Sequence, residues 1–454
     1  MVKIERDGMK DNYSINKVVI LCSIDAFANS VKPKELEAYF TSKGIYTELV
    51  STRYLSRFSS NGIGIAFPGT SPRKFILYVL EVASSLFNRF PGNKISRLTN
   101  SMFLMKILYL RGKIVHDLLC IKRPDIIICE NNSDIAFLEH KRVADIQILD
   151  LPSPQAEEKY YGGLITNKTY RKYKKYEVKM YSRADHISFH WHTYAEYVKA
   201  HKYNGANFID MSYGVNQKSF KAKYNAEPKI IFMGLLKGSW VNLSLLGELC
   251  RSNKNIDVFG GPKPPISYGI NYKGYAPTKD IMQEYQFGLI TISKDPLRKN
   301  SFSSKQLEYM SFGLPVISPS WRRDKLLDDA TIYYDDVNDF AKKVGIFTKK
   351  NRWDEKSNKS IILSKQLSWQ KAFRSLDAIL IDKKTNKSSN TRLFANFNNF
   401  VEDKTFSSSV KEADSTRLPF SLKILAKSIC SKKTVSNIYC IRNFLISFKK
   451  VSQR

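Results

Sequence analysis

The residues from Ser301 to Ile317, SFSSKQLEYMSFGLPVI, constrain the fold of this chain more than any other stretch. Serines at its start can cap a helix, Gly313 can end that helix in a left-handed conformation, and Pro315 cannot continue it. The β-branched Val316 that follows then favours a strand. Helix, tight turn and buried strand in this order are half of an α/β unit, so the sequence predicts an α/β fold.

The start of this helix predicts an anion-binding site. Free backbone N–H groups and the helix dipole attract phosphate there, and Ser304 and Lys305 occupy the first turn. Glu308 shares the face of Lys305 and can accept hydrogen bonds from two neighbouring sugar hydroxyls. A site for phosphate next to a site for two neighbouring sugar hydroxyls fits a nucleotide. The alternative is an i,i+3 ion pair between Lys305 and Glu308 on a solvated helix.

The same stretch resembles the E-x-M-x-x-G-x-P-V-(I/V) signature of glycosyltransferases of the GT-B type. Its matching residues are Glu308, Met310, Gly313, Pro315, Val316 and Ile317. With Lys305 included, the pattern is most similar to the K-x-x-E form found in the xanthan-type glucuronosyltransferase family. The resemblance implies two Rossmann-like doubly wound domains facing a cleft, with the donor in the second domain, and an inverting hexosyltransferase.

The succession of predicted elements divides the chain into five parts. Residues 1–217 are predicted to form an acceptor-binding Rossmann-like domain, 218–228 a linker, and 229–384 a nucleotide-sugar-binding domain with a closing helix. Residues 385–416, rich in Asn, Ser and Lys, are a predicted flexible linker. The tail 417–454 has nine Lys or Arg and no acidic residue. We expect this basic amphipathic helical tail to bind anionic membrane, or alternatively to fold onto the body.

Candidate catalytic carboxylates follow two predicted strands of the first domain. Glu130 comes directly after one strand and Asp150 after the next, at the edge where open α/β sheets bind ligands. An inverting transfer needs a carboxylate to accept the proton of the attacking hydroxyl. The resemblance places the catalytic aspartate in this region, and Asp150, on a proline-rich turn, is the nearest match; Glu130 is second and Asp134 third. The alternative for Asp150 is a turn or capping residue.

The predicted donor-binding residues of the second domain extend beyond the opening stretch. Met233 matches a pocket position of the resembled family, and Tyr275 lies in a Y-x-G-Y strand whose loop flanks the base there. Lys237, in a glycine-bearing loop, can reach a diphosphate or remain solvated. A basic loop offers three partners for a sugar carboxylate, namely Lys294, Arg298 and Lys299.

The sequence predicts no metal ion and no other cofactor besides the nucleotide-sugar co-substrate. His190 and His192 are predicted to share one face of a strand, but no third ligand is in register with them. A D-x-D signature is missing from the chain. The helix dipole and Lys305 must then stabilise the leaving nucleotide.

The net charge of +31 requires a polyanionic neighbour. Without zinc-finger spacing or an RNP-like strand, we expect an anionic membrane and not nucleic acid. Six scattered cysteines, no secretory signal and no long apolar run predict a cytoplasmic protein, peripheral on the inner face of the cell membrane.

The expected activity follows from the resemblance: transfer of a sugar such as glucuronic acid, from a UDP-linked donor, to a lipid-carrier-linked or polysaccharide acceptor in surface polysaccharide synthesis. One alternative is a non-enzymatic adaptor that binds nucleic acid or membrane through its charge. A third hypothesis keeps the fold and uses a GDP-sugar.

Overall fold

A computed structural model of the chain describes residues 15–22, 31–52, 72–87, 92–200, 207–219, 221–236, 241–276, 279–301 and 303–381. Both sheets belong to one compact unit, Met1–Ser389. Lys237, the predicted linker 385–416 and the predicted tail 417–454 lie outside the described residues. Among the helices that are described, none is both long and apolar enough to cross a membrane.

The first lobe is built on a five-stranded parallel sheet with the order β2-β1-β3-β4-β5. Its strands are β1 Lys17–Cys22, β2 Tyr46–Ser51, β3 Ile126–Cys129, β4 Ile146–Leu151 and β5 His186–Phe189. The central strands β3 and β4 are buried along their whole length, as expected for a parallel sheet covered by helices on both faces.

In the described ranges of the first lobe, six helices connect or cover these strands: α1 Val31–Ser42, α2 Pro72–Phe87, α3 Lys94–Lys122, α4 Gln155–Tyr161, α5 Asn167–Tyr181 and α6 His192–Ala200. The sequence of 160–181 predicts one basic helix, and α5 confirms it over 167–181, whereas residues 160 and 161 belong to α4. The chain breaks at Gly162 and Gly163, where Gly163 has φ +68°, and α4 and α5 form instead.

The second lobe contains a six-stranded parallel sheet with the order β11-β10-β9-β6-β7-β8. Its strands are β6 Ile230–Leu235, β7 Ile256–Gly261, β8 Tyr272–Gly274, β9 Phe287–Leu289, β10 Val316–Pro319 and β11 Thr331–Tyr334. Numbered from its own first strand, this sheet has the Rossmann order 3-2-1-4-5-6. The strand order reverses between β6 and β9.

The helices of the second lobe are α7 Leu243–Ser252, α8 Ser304–Ser311, α9 Val337–Phe347, α10 Lys350–Gln366 and α11 Trp369–Ala372, followed by a helical stretch over 374–381. Trp369, Phe373 and Leu376 pack in the same core as Val18 and Ile20 of the first lobe. The closing helix therefore returns to the first lobe, as the sequence predicts. The helix predicted over 278–285 is only a 3-10 turn, Lys279–Glu284.

Candidate active site

A cavity of about 210 Å³ lies at the point where the strand order of the second sheet reverses. Residues 232–235 at the end of β6, residues 289–292 at the end of β9, and residues 303–305 at the start of α8 line it. Ligands of doubly wound folds bind in the crevice at this switch point. The second lobe therefore has a pocket at the position that favours a nucleotide.

Tyr309 fixes the start of α8 at this cavity. The backbone N–H of Met233 donates to the Tyr309 hydroxyl at 2.7 Å, which joins α8 to the end of β6. The Tyr309 ring also covers Gly288 so closely that an added Cβ would lie 2.3 Å from its Cγ. Gly313, with φ +79°, then ends the helix and turns the chain into β10, as predicted. Tyr309 occupies a variable place of the sequence signature, so the sequence alone does not single it out.

The first turn of α8 presents Ser304 and Lys305 to the cavity. Ser303 is the N-cap residue, but its side chain makes no capping hydrogen bond. Lys305 Nζ contacts Glu308 Oε2 at 2.7 Å, which is the i,i+3 ion pair considered from the sequence. Because Lys305 lines the cavity, this pair borders the pocket.

Two further residues, Thr291 and Met233, contribute to the lining of the pocket. Thr291, two residues after the end of β9, is 1% exposed, and its hydroxyl has no hydrogen-bond partner among the described residues. Met233 also lines the pocket. Tyr275 does not line it: its side chain is 77% exposed and lies over Gly261 at the end of β7.

The first lobe brings Glu130, Asp150 and His190 together at the carboxyl ends of β3, β4 and β5. Their ligand atoms all lie within 4.8 Å of one another. The three strands are adjacent and parallel, so residues at their ends share one edge of the sheet. Asp150 lies inside β4, paired with Ser188 of β5, and not on the turn that the sequence suggests.

A buried lysine neutralises Asp150. Lys32 of α1 is 1% exposed; its Nζ donates to Asp150 Oδ1 at 2.8 Å, lies 2.7 Å from Oδ2, and donates to the carbonyl of Met211. Burial raises the pKa of Asp150, and the charge of Lys32 opposes that rise. Asp150 is therefore a core ion-pair partner and not a turn or capping residue. Nothing in the local sequence indicates the role of Lys32.

Glu130 has no direct contact with Lys32 of the kind that Asp150 makes. It is 8% exposed, and within the described part of the chain its Oε1 has no hydrogen-bond partner; Asp150 Oδ2 also lacks a hydrogen bond but lies 2.7 Å from Lys32 Nζ. Burial raises the pKa of Glu130 well above its usual range, the charge of Asp150 raises it further, and Lys32 opposes both. Burial, followed by the charge of Lys32, lowers the pKa of His190 well below its usual value, so its imidazole is neutral at pH 7.

Asp134, the third candidate, is committed elsewhere. It is fully buried and accepts hydrogen bonds from Arg111 Nε at 2.5 Å, from Asn131 Nδ2 at 2.6 Å and from the hydroxyl of Thr52. Both carboxylate oxygens of Asp134 therefore accept hydrogen bonds in a buried network around α3, and Asp134 has a structural role.

The histidine pair of the sequence is separated in the fold. His190 follows β5, whereas His192 begins α6, and its Nε2 lies 3.5 Å from Asp324 Oδ1. The prediction that both share one strand face is wrong, and Glu130 and Asp150 supply the acidic neighbours that the sequence pattern did not show. The donor set does not fit a metal ion, because the ammonium group of Lys32 already contacts both Asp150 oxygens.

Tyr213 connects the cluster with the cavity. Its backbone N–H donates to the carbonyl of His190 at 2.8 Å, and its side chain is hydrogen-bonded to Ser304 at the start of α8. Burial raises the pKa of Tyr213, and the nearby charges of Glu308 and Glu130 raise it further. Tyr213 therefore contacts His190 of the first lobe and the start of α8 in the second.

The basic loop before α8 has a different task from the predicted one. Arg298 is 2% exposed and donates to both carboxylate oxygens of Glu158 in α4, at 2.8 and 2.7 Å. It is therefore unavailable to a sugar carboxylate. Lys294 and Lys299 remain exposed on this loop.

The fold matches those of solved sugar-transferring enzymes. Sucrose-phosphate synthase from Thermosynechococcus elongatus has a TM-score of 0.56 at 11% identity, covering 82% of this chain and 100% of that one. The fold is GT-B. The lipopolysaccharide outer core galactosyltransferase WaaB (TM-score 0.52, 12% identity, 81% and 100% covered) has the same architecture. So does the trehalose 6-phosphate synthase of Burkholderia multivorans (0.54, 10%, 82% and 98%).

No protein-family model and no curated protein matches the sequence. At 10–12% identity, the structural similarity establishes the GT-B fold and nothing finer.

Proposed function

We propose that this chain is a glycosyltransferase that moves a sugar from a nucleoside diphosphate, UDP in the first instance, to a hydroxyl of a lipid-carrier-linked or glycan acceptor. One observation carries the proposal. A switch-point cavity beside the start of α8 is linked through Tyr213 to a buried acidic cluster on the opposing lobe. An inverting sugar transfer needs these two parts, a donor pocket and a proton acceptor.

The donor side is assigned to the start of α8. The diphosphate would accept hydrogen bonds from the first-turn N–H groups and from Ser304, with Lys305 as the charge that stabilises the leaving group. Glu308 would bind the ribose hydroxyls, and Thr291 would offer its unused hydroxyl. Phosphate and Glu308 would then compete for Lys305, which couples the two contacts.

The acceptor side is assigned to Glu130 as general base, in place of the buried and ion-paired Asp150. The acceptor oxygen attacks the anomeric carbon, the bond from that carbon to the diphosphate oxygen breaks, and the acceptor proton passes to Glu130 Oε1. This single displacement inverts the anomeric centre. Asp150 and Lys32 do not touch the substrate. They help to position Glu130, and their charges set its pKa, which Asp150 raises and Lys32 lowers. The proposal involves no metal ion.

The sequence resemblance described above is the basis for the proposed biological role. It supports a surface polysaccharide, glucuronic acid as one donor sugar, and a cytoplasmic enzyme at the inner face of the membrane. A sugar carboxylate would have Lys294 and Lys299 as its remaining basic partners in the loop before α8.

A donor panel tests the proposal. Purified protein is mixed with UDP-glucuronic acid, UDP-glucose, UDP-galactose, UDP-N-acetylglucosamine or GDP-mannose and a membrane lipid extract as acceptor. The readout is nucleoside diphosphate release. We expect release from a UDP-sugar, slowed about 100-fold or more by Lys305→Ala because a charge on the leaving group is lost. The exposed Lys342→Ala serves as the control and should leave the rate unchanged.

The outcomes separate the hypotheses. Release from the GDP-sugar alone would replace UDP by GDP. Full activity of Lys305→Ala would remove the donor assignment. No release from any donor, together with strongly salt-dependent binding to DNA or RNA, would favour the non-enzymatic adaptor that the charge of +31 suggests.

A further inference from the structure

The outer face of α5 carries only positive charge. Apart from Asn167 at the first position, every exposed side chain of this helix is basic, namely Lys168, Arg171, Lys172, Lys175 and Lys179. The one acidic residue of α5, Glu177, is fully buried and accepts the backbone N–H groups of Gln155 and Ala156. Nothing acidic on α5 therefore offsets the charge of this face.

The outer face of α3 exposes large apolar side chains. Ile95 is 65% exposed, Leu98 57%, Met102 60% and Tyr109 53%. Their spacing of three, four and seven residues places them on one side of the helix. The remaining exposed side chains between 94 and 109 are Lys94 and Lys106, so this stripe also lacks negative charge.

The two faces adjoin each other. The Arg97 side chain of α3 donates to the carbonyl of Ile165 at 3.3 Å, and the N–H of Thr166, the N-cap of α5, donates to Ser101 Oγ at 3.0 Å. Leu104 of α3 packs in one cluster with Tyr173 of α5. The two helices are therefore direct neighbours, and we call the stripe on α3 together with the exposed basic face of α5 the apolar–basic surface.

We propose that the apolar–basic surface binds the face of an anionic phospholipid bilayer. Aliphatic and aromatic side chains that would otherwise remain in water can enter the headgroup and acyl boundary, while the lysines and the arginine contact lipid phosphates. The charges of the two partners are complementary, and Lys94 and Lys106 can extend towards the headgroups beside the stripe. A nucleic acid would use the basic face but gain little from four apolar side chains on the neighbouring helix.

The inference deepens the proposed function, on which it rests for its reason, since a lipid-linked acceptor lies at a membrane. Vesicle binding is measured without donor or acceptor, so failure of binding and failure of transfer can be told apart.

The test is sedimentation of the full chain with vesicles of phosphatidylcholine alone or with 30% phosphatidylglycerol. We expect binding to the anionic vesicles that weakens with salt. Reversing Lys168, Lys172 and Lys175 to Glu should lower the partition coefficient about 100-fold or more. The pair Leu98→Ser and Met102→Ser should lower it at least tenfold without changing the net charge.

The matched control reverses three exposed lysines of the second lobe, Lys342, Lys365 and Lys371, to Glu. It changes the net charge equally and should retain most of the binding; circular dichroism checks the fold of each variant. Equal losses in both triple variants would reduce the effect to overall charge and overturn the proposal. Unchanged binding of all variants would assign it to another part of the chain. Binding to RNA or DNA but not to vesicles, lost in the α5 variant, would identify a nucleic-acid surface instead.

Discussion

Glu130, Asp150 and Lys32 share a buried space that holds two carboxylates and one ammonium group. Burial raises the pKa of both carboxyl groups, the charge of Asp150 raises that of Glu130 further, and Lys32, which contacts Asp150 directly, opposes both rises. A carboxyl group held in this way is protonated at low pH and becomes a base only as the pH rises. The proposed transfer should therefore accelerate with pH through the raised pKa of Glu130.

The first prediction concerns stability against pH. The folded pKa of Glu130 lies well above that of an unfolded Glu, about 4.3, so between the two values the folded state binds more protons. The free energy of unfolding therefore falls as the pH rises through this window. Thermal melts from pH 5 to 9 should show a shallower decline for Glu130→Gln than for the natural chain.

Glu177, with a pKa raised to about 8 by burial and by Glu157, contributes the same slope to both proteins, so their difference isolates Glu130. Parallel curves for the two proteins would show that Glu130 titrates as an ordinary carboxylate.

The second prediction concerns the buried ion pair. Lys32→Met leaves the Asp150 carboxylate uncompensated in the core and should cost about 3–5 kcal/mol of unfolding free energy. The double variant Lys32→Met with Asp150→Leu removes both charges and should recover most of that loss in urea denaturation. A double variant no more stable than the single one would show that Lys32 acts through packing.

At the scale of elements, the position of α8 depends on its contact with β9. The Tyr309 ring packs closely against Gly288, and its hydroxyl accepts the N–H of Met233, so Tyr309 joins α8 to β6 and β9. A glycine is needed at position 288 because a side chain would occupy the space of the ring.

The third prediction follows from this contact. Gly288→Ala should force the buried Tyr309 ring to move, lower the unfolding free energy by about 1–3 kcal/mol, and weaken binding of a nucleoside diphosphate at the displaced helix start. Gly345→Ala is the control, since that helical glycine has open space around it and should stabilise the protein by up to about 1 kcal/mol. Equal melting temperatures for the Gly288 variant and the natural chain would mean that α8 is not held by this contact.

Elements set by local sequence can be predicted, whereas contacts between distant parts of the chain cannot. The run from Ser304 to Val316 is predictable because its cap, glycine and proline act locally, and Glu130 can be found because it follows an apolar strand directly. Lys32 cannot be found in this way, because its partner Asp150 is 118 residues away and only the packing of α1 on the sheet joins them. The break between α4 and α5 depends on Gly162 and Gly163, which interrupt an otherwise continuous helical pattern.

At the scale of the whole molecule, the lobes hold each other by reciprocal insertion. Trp191 of the first lobe packs in the core of the second, and its indole N–H donates to Asp324 at 2.6 Å. Leu297 of the second lobe packs in the core of the first, next to the Arg298–Glu158 pair. The two halves of the proposed site are thereby kept opposite each other.

The fourth prediction concerns this junction. Arg298→Ala leaves Glu158 without its bidentate partner and should lower the unfolding free energy by about 3–5 kcal/mol in urea titrations. The neighbouring Lys299 is exposed, and Lys299→Ala should change it by no more than about 0.5 kcal/mol. Similar effects of the two substitutions would remove the special role of the pair.

The most direct test of the whole account is the stabilisation of the protein by UDP. A ligand at one hundred times its dissociation constant adds about 2.7 kcal/mol to the unfolding free energy. We predict that UDP raises the melting temperature of the natural chain in a saturable way, and that Lys305→Ala needs at least about ten times more UDP for the same rise. No rise with UDP, or identical titrations for both proteins, would contradict the placement of the nucleotide at the start of α8.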